Sequence, residues 1–330
     1  MHESVQPLVS IVTPFYNSGD FLAECIESVL AQTYQNFEYI LFDNCSTDAS
    51  AGIAMGYADL DPRIRYVKAE TFVDQVPNYN RALRQISGDG KYCKMVQADD
   101  WIYETCIEEM VRLAEKHSSI GVVGSYSVYG HKVAHDELPL DHSDVITGHE
   151  AIRHYLVGPP GGNFIGSPTC VMFRSDLVRE RDPFFTTDMP DYEDLEVCLE
   201  LLLHCDFGFV CQVLTFNRRD NESIWNRIAH LIPGLAHQYL LMKKYGPKVL
   251  APDAYSHASK TLEYNYYIHL AKASVRLDRE YLRFHSELLG SEGVSINKLL
   301  LAREIVMELI NILGNPKMSL GRLVRHIMSR

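Results

Sequence analysis

Two pairs of adjacent carboxylates, Asp99-Asp100 and Glu193-Asp194, hold much of the chemistry this sequence offers. Two short runs, Thr13-Pro-Phe-Tyr-Asn17 and Asp43-Asn-Cys-Ser-Thr-Asp48, hold most of the rest. Side-by-side acids such as Asp99 and Asp100 supply hard oxygen ligands for Mg2+ or Mn2+. A flat ring such as Tyr16 can stack on a heterocyclic base, and a carboxylate such as Asp43 can accept its ring N–H. A diphosphate near these acids would be repelled unless a divalent cation lay between them. Together the runs meet the demands of a nucleotide sugar. Each alone has a plainer reading, because acids at strand ends commonly cap the next helix. The same holds for Glu193-Asp194: first-turn carboxylates complement a helix macrodipole, with Asp191 as an ordinary cap. The alternative is that Asp194 projects into a crevice as the general base for an incoming hydroxyl.

What must position these residues is a series of short apolar strands and amphipathic helices. Residues 9–13 read as a buried strand, and 21–32 as a helix burying Leu22, Cys25, Ile26 and Val29. Strand 37–42 follows, with Ser46-Thr47-Asp48 as a helix cap, then strand 63–67, helix 78–86, strand 92–96, helix 103–116 and strand 120–128. Such alternation implies βαβ units and a mainly parallel sheet. Ligands of open parallel sheets bind outside the carboxyl ends of the strands, which is where the runs after 13, 42 and 96 fall.

Beyond an irregular polar stretch at 130–144, Thr147-Gly-His-Glu150 is a capping box, and 158–162 is a loop rich in Gly and Pro. Strands are expected at 169–173 and 207–216. A helix at 192–204 lies between them, with Leu195, Cys198, Leu199 and Leu202 inward and Glu193, Glu196 and Glu200 outward. After 223 the pattern is helical only: 225–245, 252–289, 296–313 and a piece from 320. The domain boundary falls near 225. Tyr264, Tyr267 and neighbouring Leu residues read as helix packing.

Composition narrows the classes. With 43 acidic and 31 basic side chains, the net charge of −12 excludes a general nucleic-acid binder. The eight cysteines contain no Cys-x-x-Cys pair, and several sit in apolar runs, including Val-Cys-Gln-Val around Cys211, as small hydrophobes do. A reducing, cytoplasmic setting is expected. The N-terminus lacks a signal-peptide pattern, and no apolar run approaches the roughly 20 residues that span a bilayer. His149 and His154 are five apart and share no helix face, so they do not form a zinc-protease motif. Gly88-Asp-Gly-Lys91 is a turn, not a phosphate loop, and no Gly-x-Ser-x-Gly elbow occurs.

Val9-Ser-Ile-Val-Thr-Pro-Phe-Tyr-Asn17, Cys25-Ile-Glu-Ser-Val-Leu-Ala-Gln-Thr-Tyr34 and Asp43-Asn-Cys-Ser-Thr-Asp48 resemble the opening of family 2 glycosyltransferases with the GT-A fold. Gly90-Lys-Tyr-Cys-Lys-Met-Val-Gln-Ala-Asp-Asp100 is similar to that family's acidic strand-end motif, and Glu193-Asp194 to its acceptor-side acids. The resemblance spans about 7–225. It implies a Rossmann-type, mainly parallel α/β sheet flanked by helices: a nucleotide-sugar half at 1–128 and an acceptor half at 129–225. An all-helical extension at 226–330 lies outside it. It also implies an inverting transferase that uses a nucleotide-diphosphate sugar, by family habit a UDP-sugar, and a divalent cation, Mn2+ or Mg2+. The acceptor would be a saccharide or lipid-linked saccharide.

Carried onto this chain, Pro14, Tyr16, Asn17, Asp43, Asn80, Asp99, Arg218 and Arg219 would hold the nucleotide sugar. Asp100, with Asp99, would hold the metal. Glu193 would face the acceptor, and Asp194 would be the base. Gln97 stands where the family often has a further acid. Two other readings of the chain are a non-catalytic sugar-nucleotide-binding or assembly subunit, and a nucleotidyltransferase. The latter would want a Gly- and Arg-rich loop where Pro14-Phe15-Tyr16 stands. Residues 317–330 carry Lys317, Arg322, Arg325 and Arg330 beside Leu320, Leu323, Val324 and Ile327, a basic amphipathic pattern. It suits either peripheral contact with an anionic membrane surface or a packing helix of a homodimer.

Overall fold

The computed structural model describes residues 6–134, 144–158, 164–186, 192–218 and 229–314. The chain divides into two units, 1–224 and 225–330. Helix and strand alternate in the first: β1 (Val9–Phe15), α1 (Leu22–Leu30), β2 (Phe37–Asp43), α2 (Ser50–Leu60), β3 (Ile64–Lys68), α3 (Gln75–Leu83) and β4 (Tyr92–Met95). There follow β5 (Trp101–Ile102), α4 (Cys106–Lys116), β6 (Ile120–Tyr129), β7 (Lys132–Ala134), β8 (Val145–Ile146) and α5 (Gly148–Val157). A 3-10 turn (Pro168–Cys170), β9 (Val171–Arg174), α6 (Ser175–Glu180), α7 (Glu193–Leu201) and β10 (Asp206–Asn217) complete it.

The strands form one sheet in the order β3-β2-β1-β4-β9-β6-β10-β5, with β7 on β6 and β8 on β10. β3, β2, β1 and β4 run parallel, as do β6 and β10. β9 lies antiparallel between β4 and β6. Helices cover the sheet, so β1 is buried along its whole length, which explains its unbroken apolar run. α1 buries the expected Leu22, Cys25, Ile26 and Val29. The Thr147–Glu150 capping box is formed, with Glu150 N–H donating to the Thr147 hydroxyl.

Several expectations shift. α3 starts three residues before the expected 78, and the segment from 103 becomes helical only at Cys106, after the short β5. Residues 168–170 form a 3-10 turn before β9 begins. The inward stripe of α7 is as expected, but Glu196 is not outward: it is buried, and its Oε2 accepts the Thr186 hydroxyl at 2.5 Å. Cys211 is exposed on β10 and does not behave as a core hydrophobe.

In the second unit, α8 (Pro233–Val249), α9 (Pro252–Arg276), α10 (Arg279–Ser291) and α11 (Lys298–Gly314) follow a 3-10 turn at Ala229–Leu231. The expected single helix 252–289 is two, because Leu277 takes a left-handed conformation (φ 57°) and the Asp278 side chain caps α10 by accepting the Tyr281 N–H. Tyr267 is buried as packing predicts, while Tyr264 is half exposed. No helix among the described residues is long and apolar enough to cross a membrane. The basic amphipathic segment 317–330 lies outside the described residues.

Candidate functional site

At the carboxyl ends of β1 and β2, side-chain bonds sew two turns together. Asn17, in a left-handed conformation (φ 49°), accepts the Thr47 N–H on Oδ1 at 2.8 Å and donates its own N–H to Ser46 Oγ at 3.1 Å. Gly19 N–H donates to Asp48 Oδ2 at 3.0 Å. This leaves the Tyr16 ring projecting, 44% exposed, against Phe72, 53% exposed, with ring centroids 4.7 Å apart. Phe72 follows β3 in sequence and was not singled out by its residue type. Its position depends on Asn44, which bonds both backbone groups of Val73. Asp43 is buried: Oδ1 accepts the Ser46 N–H at 2.7 Å and Oδ2 the Tyr66 hydroxyl at 2.8 Å. Each of its oxygens thus accepts one donor from the protein.

Three expected nucleotide contacts are otherwise engaged. Pro14 is buried inside β1 opposite Phe42, so Tyr16 and not Pro14 presents a surface at this turn. Asn17 spends its side-chain carbonyl on the turn itself. Asn80 clamps the backbone of Phe185, donating from Nδ2 to the carbonyl and accepting the N–H on Oδ1, both at 2.8 Å. Its amide is a strut between α3 and a segment 105 residues away.

The pair after β4 splits into unlike members. Asp100 is buried, and three donors surround its carboxylate: Thr169 Oγ1 and Asn217 Nδ2 on Oδ2, both at 2.6 Å, and the Arg218 backbone N–H on Oδ1 at 3.0 Å. Burial, then the neighbouring Asp99, pushes its pKa well above the usual carboxylate range. Asp100, expected as the principal metal ligand, thus spends three of its lone pairs within the fold. Asp99, partly exposed, is the carboxylate that suits a cation. The pair fits one metal held by a single protein carboxylate and by ligand oxygens, because a positive charge here would relieve two crowded acids. No cluster of three metal-binding side chains occurs among the described residues.

Arg218 is also committed. Its Nε donates to the Asp99 carbonyl at 3.0 Å, its guanidinium pairs with Glu24, and it lies 4.6 Å over the Phe21 ring. In this arrangement it holds the Asp99–Asp100 turn against α1. Arg219 lies outside the described residues.

Glu193 and Asp194 occupy the first turn of α7. Asp194 is partly exposed, and desolvation by the surrounding protein, then Glu193, pushes its carboxyl up to about 8. The Leu195 N–H, donating to Oδ1 at 2.7 Å, pulls weakly the other way. The two acidic pairs act electrostatically on shared neighbours. The buried Tyr79 hydroxyl accepts amide N–H groups from Gln75 at 2.5 Å and Gln97 at 2.9 Å. Burial raises its pKa, and both Asp99 and Glu193 raise it further. The Cys170 thiol is felt by Asp100 and Asp194 alike. Sequence reasoning missed Tyr79, Thr169 and Asn217, which carry no signal beyond being polar residues beside apolar ones. It also missed Lys94, a lone cation in the apolar run of β4.

A family model described as glycosyl transferase family 2 matches residues 10–181, more than half of the chain. The glycosyltransferase GlyG of Streptococcus pneumoniae is 35% identical over 122 residues, which are 37% of this chain and 40% of that protein. The chain therefore spans less than half of that relative's length. Among solved structures, S. aureus TarS 1-349 in complex with UDP-GlcNAc superposes with a TM-score of 0.63 at 14% identity, covering 94% of this chain and 92% of TarS 1-349. The mannosyltransferase PcManGT of Pyrobaculum calidifontis, in complex with GDP-Man and Mn2+, superposes with a TM-score of 0.52 at 16% identity, covering 95% and 82%. At such identities the likeness is one of fold.

Proposed function

The chain belongs to glycosyl transferase family 2, and on that premise we propose that it moves a sugar from a nucleotide diphosphate to a hydroxyl of a saccharide or lipid-linked saccharide. The nucleotide is taken as UDP, in keeping with the UDP and UDP-GlcNAc complexes of TarS. Transfer is a single displacement that inverts the anomeric carbon.

The Tyr16–Phe72 pair offers the exposed ring surface on which a base stacks. Asp43 supplies a fixed acceptor for the base's N–H from its remaining lone pairs. Asp99, with Asp100 braced behind it, would hold Mn2+ or Mg2+. When bound, such a cation supplies charge stabilisation for the departing diphosphate. Asp194 takes the proton of the acceptor hydroxyl as that oxygen attacks from the face opposite the leaving group. A carboxyl near 8 is well matched to this task, since a base works best with a pKa near the working pH. Glu193, beside it, orients the acceptor and contributes to the upward shift.

What supports this reading is that the buried Tyr79 hydroxyl, bonded by Gln97 of the donor-side turn at 2.9 Å, has its pKa raised by both Asp99 and Glu193. A panel of nucleotide sugars with Mn2+, followed by thermal unfolding and then by product NMR, tests it. One UDP-sugar is expected to raise Tm, because binding to the folded state at 100 times Kd adds about 2.7 kcal/mol. The glycoside formed from that donor should carry the inverted anomeric configuration. A panel in which no nucleotide sugar stabilises the protein, or a product of retained configuration, would overturn it.

A further inference from the structure

β4 pairs with antiparallel β9 only at Tyr92 opposite Arg174 and Cys93 opposite Phe173. The pairing stops there although β9 runs on through Met172 and Val171, which pair with β6, and the 3-10 turn Pro168–Cys170 lies just beyond. Lys94 occupies this break from the inside. It is wholly buried, and its Nζ donates to the Thr169 carbonyl and, at 3.1 Å, to the Val171 carbonyl. Its side chain thereby ties β4 to the Thr169–Val171 backbone where the β4–β9 pairing has ended. Thr169, also wholly buried, passes the constraint on: its hydroxyl donates to Asp100 Oδ2 at 2.6 Å and accepts the Gln97 N–H at 3.0 Å. A bonded chain thus runs from Lys94 through Thr169 to both ends of the turn that presents Asp99.

Burying an ammonium costs several kcal/mol, which an apolar side chain between Cys93 and Met95 would avoid. Packing alone therefore does not account for a lysine here. We infer that Lys94, acting through Thr169, is a positioning residue that fixes the angle at which Asp99 meets the cation and diphosphate of the donor. This rests on the proposed function to the extent that Asp99 is taken to face a cation-bound diphosphate.

The test uses Lys94→Met, similar in length but without donors, and Thr169→Val, which removes only the hydroxyl. Trp225→Phe is the common background, leaving Trp101 as the sole tryptophan. Trp101 adjoins the turn and stacks on Phe216 at 4.9 Å, so its emission reports the turn's order without any ligand. Both variants are expected to fold, to shift cation-free Trp101 emission to the red, and to lose about 10-fold or more of the gain in UDP affinity that Mn2+ gives over EDTA. Uridine affinity, which does not involve the turn, should stay within about twofold of the parent by the same account. If Lys94→Met fails to fold, Thr169→Val decides. Variants with an unshifted Trp101 and the full Mn2+ gain would overturn the inference while leaving the proposed function intact. A parent protein without any Mn2+ gain would instead overturn the cation role of Asp99, and this inference with it.

Discussion

The two acidic pairs look alike in sequence and differ in what surrounds them. Both contain an aspartate whose pKa is raised by desolvation and by an acidic neighbour. Asp100 answers that cost with three donors from two separate segments, Thr169 and the adjacent Asn217 and Arg218. Among the described residues, Asp194 has one side-chain bond, from the N–H of the next residue. A carboxylate with most of its lone pairs occupied by its own fold holds structure together. One left sparsely bonded, and with its anion disfavoured, is ready to take a proton. The difference teaches that adjacency of acids marks a site, whereas the donors around each oxygen assign its task.

The largest effect should come from Asp194→Asn. Turnover should fall by about 10²–10⁴, the usual worth of a general base, while UDP affinity by calorimetry stays near the parent value. Stability sharpens the contrast. A carboxyl whose folded pKa is raised stabilises the folded state fully below its unfolded pKa, and that contribution is lost as pH rises to the folded value, here about 8. Melting curves between pH 4 and 8 should therefore decline less steeply for Asp194→Asn than for the parent. Asp100→Asn should act oppositely: its amide N–H₂ must face one of three donors, at a cost of about 1–3 kcal/mol. A lower Tm for Asp194→Asn than for Asp100→Asn would undo the comparison.

Next in size, Asp99→Asn should raise the Mn2+ concentration needed for half-maximal turnover by about 10-fold or more, with little change in Tm. The smallest effects belong to the base platform. Tyr16→Ala or Phe72→Ala should each weaken UDP binding about 2- to 10-fold, in keeping with roughly 0.5–1.5 kcal/mol per aromatic contact. If Phe72→Ala leaves UDP affinity unchanged while Tyr16→Ala does not, the second ring is not part of the platform.

The features legible in sequence were those set by local pattern. The alternation of β1, α1 and β2, the buried face of α1 and the Thr147–Glu150 cap follow from periodicity and capping chemistry within a few residues. So did the placement of Tyr16, Asp43 and Asp99 at strand ends. What stayed hidden depends on partners far along the chain. Asn80 looks like a ligand contact until Phe185 is seen to use both ends of its amide. Glu196 falls on the polar side of a helical wheel, yet Thr186 receives it in the interior. Asp100 is indistinguishable from Asp99 until Thr169 and Asn217 arrive. Leu277 breaks a helix without a Gly or Pro, so periodicity alone runs through it.

The proton-accepting role of Asp194 is tested most directly by the pH dependence of single-turnover sugar transfer at saturating donor and Mn2+, compared between the parent protein and Asp194→Asn. The parent rate should rise with pH and level off near 8, as the carboxyl ionises. The residual rate of the variant should lack that limb. A variant that keeps both the limb and a near-parental plateau would contradict the assignment.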